Sequence, residues 1–256
     1  MKNPSSKAAS VLKELKINNL RGVDLRDVFS IKKIFYEDKF PLTGYLARIV
    51  STTSHSKITV SSTITYKNQK RFVQAHEFGH FELHRAEKII CDNENSFYQY
   101  HKNGGQEVEA NEFAAELLMP RAEFKALVSN KDFSVQVVME LAEYFETSVT
   151  STAIRYSEFG FKQIAVVFSQ EGKIKWVRIN EKFPLQFIRI DQPVPIRSIV
   201  ADYYNGKVLP KKPVKVDAFN WFFEDYNIQR FDKTKVFEQV FIIDSINCAL
   251  SFIWIP

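Results

Sequence analysis

Two histidines four residues apart, His76 and His80, with Glu77 directly after the first, are the residues whose types and spacing speak most directly of chemistry. In a helix of 3.6 residues per turn, positions i and i+4 stand one above the other. Both imidazoles can therefore converge on a single metal ion. Glu77 then sits where a carboxylate can reach a water held by that ion and act as a general base. The chain has five histidines in 256 residues, so this arrangement is hard to reach by chance. The surrounding stretch, Arg71 to His84, has helical periodicity, with Phe72, Ala75, Phe78 and Leu83 supplying packing surface. Gly79 costs about 1 kcal/mol relative to alanine in a helix interior, and its presence predicts a close packing partner. His84 continues the i+4 series. About 80° of rotation separates it from His76, which favours a helix-end or supporting role over ligation.

A hydrolytic Zn²⁺ site needs three protein ligands and an open position, and a carboxylate from a second helix is a usual third ligand beside two histidines. Gly104-Gly105 opens such a helix about thirty residues on, and Met119-Pro120 closes it, because proline disfavours helical geometry in the residue before it. Within it, Glu107 and Asn111 are i and i+4. Glu107 is placed as the third ligand, and Asn111 can hydrogen-bond a ligand side chain and hold its orientation. Glu109 is the rival ligand, although it lies about 160° around the helix from both.

The combined pattern, His-Glu-Phe-Gly-His followed by Glu107-Val-Glu-Ala-Asn-Glu-Phe-Ala-Ala-Glu-Leu-Leu-Met-Pro120, resembles the ImmA/IrrE family of metallopeptidases. In that family the first Glu of the second motif is the third metal ligand, which falls on Glu107. The resemblance implies a zincin-like domain, a cytoplasmic location and cleavage of a helix-turn-helix repressor carried on a separate chain. It also implies that the helical pair after Pro120 completes the catalytic domain. Fold class and organisation follow: α+β, with a zincin-like metallopeptidase domain of helices and a small sheet over residues 1–160. A β-rich C-terminal domain of unknown role then covers 161–256.

The positioning elements can be read in outline. Residues 5–15 and 24–33 read as short helices, and 44–50 and 57–65 as strands ahead of the active-site helix. Residues 87–103 read as a long loop between the metal-bearing helices. Helices are expected over 121–128, 134–145 and about 147–160. Beyond these, alternation at 163–168 and 173–179 around Glu171-Gly172 signals a hairpin, and 187–190, 236–243 and 249–255 add strands. Trp221-Phe222-Phe223 and Tyr203-Tyr204 read as packing residues of that sheet. The oxyanion donor is open among Tyr66, Tyr98, Tyr100, His101 and Arg155.

Composition bounds the alternatives. An apolar fraction of 45% is ample for a buried core. No apolar run reaches the length of a membrane span, and the first residues lack a signal-peptide core. Cys91 and Cys248 are in no disulfide or zinc-site spacing. The formal charge of +5 comes partly from Lys207, Lys211, Lys212 and Lys215 in one Gly/Pro-marked loop, so sequence-specific nucleic-acid binding is not expected. The expectation is a metal-dependent endopeptidase acting on a regulatory protein, with Zn²⁺ or Mn²⁺ held by His76, His80 and Glu107 and with Glu77 as base. The alternative is a binding module that keeps the peptidase fold and sequesters a repressor uncut.

Overall fold

Polar side chains start the first two helices. Asn3 caps α1 (Pro4–Glu14) by accepting from the Ser6 N–H at 2.8 Å, and Pro4 follows where no N–H is needed. Asp24 caps α2 (Leu25–Ile31) in the same way through the Arg26 N–H at 2.9 Å. The structure is a computed structural model that describes residues 3–84, 89–92, 105–231, 233–243 and 247–256. Its class is α+β, as the sequence implied.

A four-stranded sheet follows from β1 (Ile34–Glu37), β2 (Ala47–Ser51), β3 (Ser56–Val60) and β4 (Ile89–Asp92), in the order β1-β3-β2-β4. β1 runs parallel to β3, and the other pairings are antiparallel. β3 stops at Val60, well short of residue 65. The Ser61 hydroxyl bonds Thr63 at 2.8 Å and accepts the Leu42 N–H at 3.1 Å, drawing the chain out of the ladder. β1 and β4 add two strands that the sequence did not announce. β4 lies within the segment expected as a loop; four residues are too few for a two-residue alternation to stand out.

Over this sheet lies α3 (Lys67–His84), which touches β2, β3 and the helix α4 (Gly105–Leu118); α4 in turn packs on α1. The mid-section of α3 is buried from Val73 to Phe81. Phe78 meets Phe29 and Phe113 edge-on, each with ring centroids 5.8 Å apart. A Cβ on Gly79 would come within 3.1 Å of the Ala110 Cα and carbonyl oxygen, so α3 and α4 approach at the glycine as its presence predicted.

By internal contact the chain divides into two compact units, Met1–Glu123 with Ala142–Ser148, and Phe124–Leu141 with Val149–Pro256. Around that division run α5 (Arg121–Val128), α6 (Val135–Phe145) and α7 (Val149–Phe159). The second unit holds an antiparallel sheet of β5 (Ile164–Gln170), β6 (Lys173–Ile179), β7 (Val214–Asp217), β8 (Lys235–Ile243) and β9 (Cys248–Trp254), in the order β6-β5-β9-β8-β7. Glu171 and Gly172 both have positive φ, 51° and 75°, the geometry a two-residue hairpin turn demands. Helices α8 (Ile199–Tyr204) and α9 (Ala218–Phe222) bring Val200, Trp221 and Phe222 into the core. Trp221 and Phe222 pack as expected, whereas Phe223 is exposed.

Residues 187–190 are not a strand. Their lead-in is taken by Asp225, whose Oδ2 accepts the Gln186 and Phe187 N–H groups at 2.6 and 2.8 Å, and Asp191 turns the chain with φ 62°. Among the described residues no helix is long and apolar enough to cross a membrane.

Candidate metal centre

α3 delivers His76 and His80, 0% and 1% exposed, with their Nε2 atoms 3.0 Å apart. α4 brings Glu107 in its first turn, with Oε2 at 3.4 Å from His76 Nε2 and Oε1 at 3.3 Å from His80 Nε2. These three residues form the group among the described residues that could hold a metal ion. A tetrahedral centre with bonds of about 2.0–2.1 Å has ligand–ligand edges of about 3.3–3.4 Å; the Nε2–Nε2 separation is within a few tenths of an ångström of that, and each imidazole has one of the two Glu107 oxygens at such a distance.

Hydrogen bonding sets the chemistry of this donor set. Asn111, buried on α4, places Oδ1 2.9 Å from His76 Nδ1. An amide oxygen accepts, so Nδ1 of His76 carries the proton and Nε2 offers its lone pair towards Glu107. An imidazole lone pair facing a carboxylate oxygen in a buried place is electrostatically unfavourable alone and favourable around a cation. Imidazole nitrogen with carboxylate oxygen suits Zn²⁺ and also accommodates Mn²⁺. Glu77, next to His76, is wholly buried. Ionised carboxylates are seldom found in such places unless something local stabilises them.

The structure brings His76, His80, Glu107 and Asn111 together and gives Glu109 a different neighbour. Its Oε2 lies 2.9 Å from His84 Nε2, and His84 Nδ1 lies 3.0 Å from His80 Nδ1. By sequence Glu109 is a rival ligand and His84 a supporting residue; the contact between them is seen only in the structure. The available signal was the repeat of His at i+4 after His80 with a second glutamate two residues after Glu107. Of the oxyanion candidates, Tyr66 is 61% exposed at the start of α3. Ten residues of helix put it about 15 Å along the axis from His76. Tyr98, Tyr100 and His101 lie outside the described residues. Arg155 belongs to the second unit, where it stacks over Phe159 at 4.3 Å and pairs with Glu158 at 3.7 Å.

The span of chain that carries all of these ligands, residues 34–157, matches the family model described as the IrrE N-terminal-like domain, peptidase M78. Residues 34–157 are an IrrE N-terminal-like domain. The ImmA/IrrE resemblance carried by the two motifs is thereby borne out, and the metallopeptidase family implies a divalent metal. Among solved structures, a Mycobacterium tuberculosis transcriptional regulator is similar over 99% of this chain and 77% of that one, with a TM-score of 0.61 and 13% identity. At that identity the likeness establishes the fold alone. No curated protein matches the chain.

Proposed function

We propose that this chain is a metal-dependent endopeptidase that cuts a regulatory protein, a helix-turn-helix transcriptional repressor, in the cytoplasm. The observation that carries the reading is the buried convergence of His76, His80 and Glu107 beside the wholly buried Glu77. A pure binding module has no use for a base at that position. Residues 1–160 are assigned the peptidase role and 161–256 a module of separate role. The regulatory direction is supported by the ImmA/IrrE resemblance that the IrrE N-terminal-like domain bears out.

His76 and His80 would hold the ion through Nε2 together with the Glu107 carboxylate, and Asn111 holds the His76 ring. A divalent ion bound there would supply Lewis acidity, making a bound water more acidic and polarising the scissile carbonyl. Glu77 takes the proton of the attacking water and passes it to the leaving amine. The substrate must enter extended, because helical backbone has its hydrogen-bonding groups already paired and cannot add to a sheet edge. Among the described residues the edge strands of the first sheet are β1 and β4.

The test incubates metal-loaded protein with a candidate repressor encoded beside it and locates new termini by mass spectrometry, with casein as an unstructured control. Glu77→Gln should keep its metal and lose about 10²-fold or more in hydrolysis. Full activity in that variant would remove the mechanism. Preferential digestion of casein would remove the regulatory substrate, and a repressor bound stably but uncut would move the reading to sequestration.

A further inference from the structure

His84 stands one turn beyond His80 on α3, nearly buried, with each ring nitrogen in contact. Nε2 lies 2.9 Å from the Glu109 carboxylate and Nδ1 lies 3.0 Å from Nδ1 of His80. These two contacts, taken with the reading of His80 as a ligand, give the positions of two protons. A carboxylate only accepts, so Nε2 of His84 donates. On the ligand reading Nε2 of His80 offers its lone pair, so the one N–H of His80 sits on Nδ1 and donates to Nδ1 of His84. Nε2 of His80 lies 3.3 Å from Glu107 and 3.0 Å from His76 Nε2.

We infer that Glu109 and His84 form a positioning relay that sets the tautomer and ring orientation with which His80 meets the metal. The inference rests on the reading of His76, His80 and Glu107 as ligands. α4 thus supports both imidazoles, by different routes. Asn111 reaches His76 directly, whereas Glu109 reaches His80 through the second imidazole. The two carboxylates of the Glu107-Val-Glu109 run divide the work, one facing the ion and the other one imidazole behind it. Outer partners of this kind typically change metal affinity by about 10–100-fold when removed.

Zinc affinity is measured by competition with a chromophoric chelator on the full chain and on Glu109→Ala, Glu109→Gln, His84→Phe and the double variant of Glu109→Ala with His84→Phe. Glu107→Ala serves as the ligand control. We expect Glu109→Ala and His84→Phe each to lose about 10–100-fold. The double variant should lose no more than His84→Phe alone, because the carboxylate acts through the imidazole. Glu109→Gln, whose amide oxygen still accepts from His84, should recover most of the loss. Long-range ¹H–¹⁵N spectra of the metal-free protein should place protons on His84 Nε2 and His80 Nδ1, with the His84 signal altered in Glu109→Ala. Additive losses in the double variant would make Glu109 an independent contributor and overturn the relay. Unchanged affinity in both single variants, or a proton on His84 Nδ1, would overturn it too. If the parent and Glu107→Ala bind zinc equally weakly while the spectra keep the expected protons, the relay's hydrogen bonds stand and the ligand reading is what fails.

Discussion

Gly79→Ala is the sharpest probe of how the site is assembled, because it opposes two effects of similar size. Replacing a mid-helix glycine gains about 1 kcal/mol in helix propensity. The new methyl would meet Ala110 Cα, Ala110 O and Phe113 Cδ1, each at 3.1 Å. Phe113 is itself fully buried and the other two atoms are main chain, so α4 must move away by a few tenths of an ångström. Overpacking of this kind costs about 1–3 kcal/mol, and the net expectation is a loss of about 0–2 kcal/mol. The site should feel the change more than the fold does. Ala110 lies one turn after Glu107 and immediately before Asn111, so its displacement stretches the 3.3 and 3.4 Å edges to the imidazoles and the 2.9 Å bond to His76. The assay pairs denaturant unfolding with chelator competition for zinc. The expected signature is a small stability change with affinity down about tenfold or more. A variant stabilised by the full propensity gain and binding zinc as tightly as the parent would refute the claim that the glycine sets the helix separation.

Gly160→Ala should be far more damaging in the second unit: a Cβ there would come within 2.3 Å of the buried Tyr156 ring and 2.6 Å of its carbonyl oxygen, and thermal unfolding should report a loss of about 2–3 kcal/mol or more. A melting point within error of the parent would show that Tyr156 has room to turn. Glu238 gives a pH test. Burial raises its carboxyl above the ordinary value of 4.5, although it accepts from Trp221 Nε1 at 3.0 Å and the Val200 N–H at 3.1 Å. With the folded pKa above the unfolded one, its contribution is fully present below 4.5 and is lost as pH rises through the folded value. Stability of the parent should therefore decline over that range, and Glu238→Gln, which cannot ionise, should show a flatter profile in denaturant titrations; equal slopes would remove the assignment.

How far the sequence could be read depended on the length of each signal. The metal-bearing helices were legible because each carries its chemistry at i and i+4 within a long apolar frame, and α3 and α4 lie where His76, Glu107 and Pro120 placed them. The hairpin at Glu171-Gly172 was legible because turn residues sat between two alternating runs. β1, β4 and β7, at four residues each, gave too little alternation to be seen. Phe187-Ile-Arg-Ile190 had the alternation and still did not become a strand, because Asp225, 38 residues away, takes its first N–H and that of Gln186 before it. The Glu109–His84 contact was hidden for a related reason: a helical wheel shows which residues share a face, but not which side chain of a neighbouring helix lies between them.

The place of β9 in the second sheet bears on the order of events during synthesis. β9 is buried along its whole length and lies between β5 and β8, with both of its edges paired. β5, apolar over its first five residues, can pair with β6 as soon as the hairpin is made, but its other edge waits for residues 248–254. At ribosomal rates of about 5–20 residues per second, that interval is on the order of 4–17 s. For that time an apolar strand edge is open to any other strand nearby, which is the condition under which nascent chains associate wrongly. The long wait falls on the β-rich unit, while the first sheet needs only residues 34–92 to complete its ladder. Chaperone dependence and yield on overexpression should therefore respond to changes along β5 and β9 far more than to changes at the metal centre.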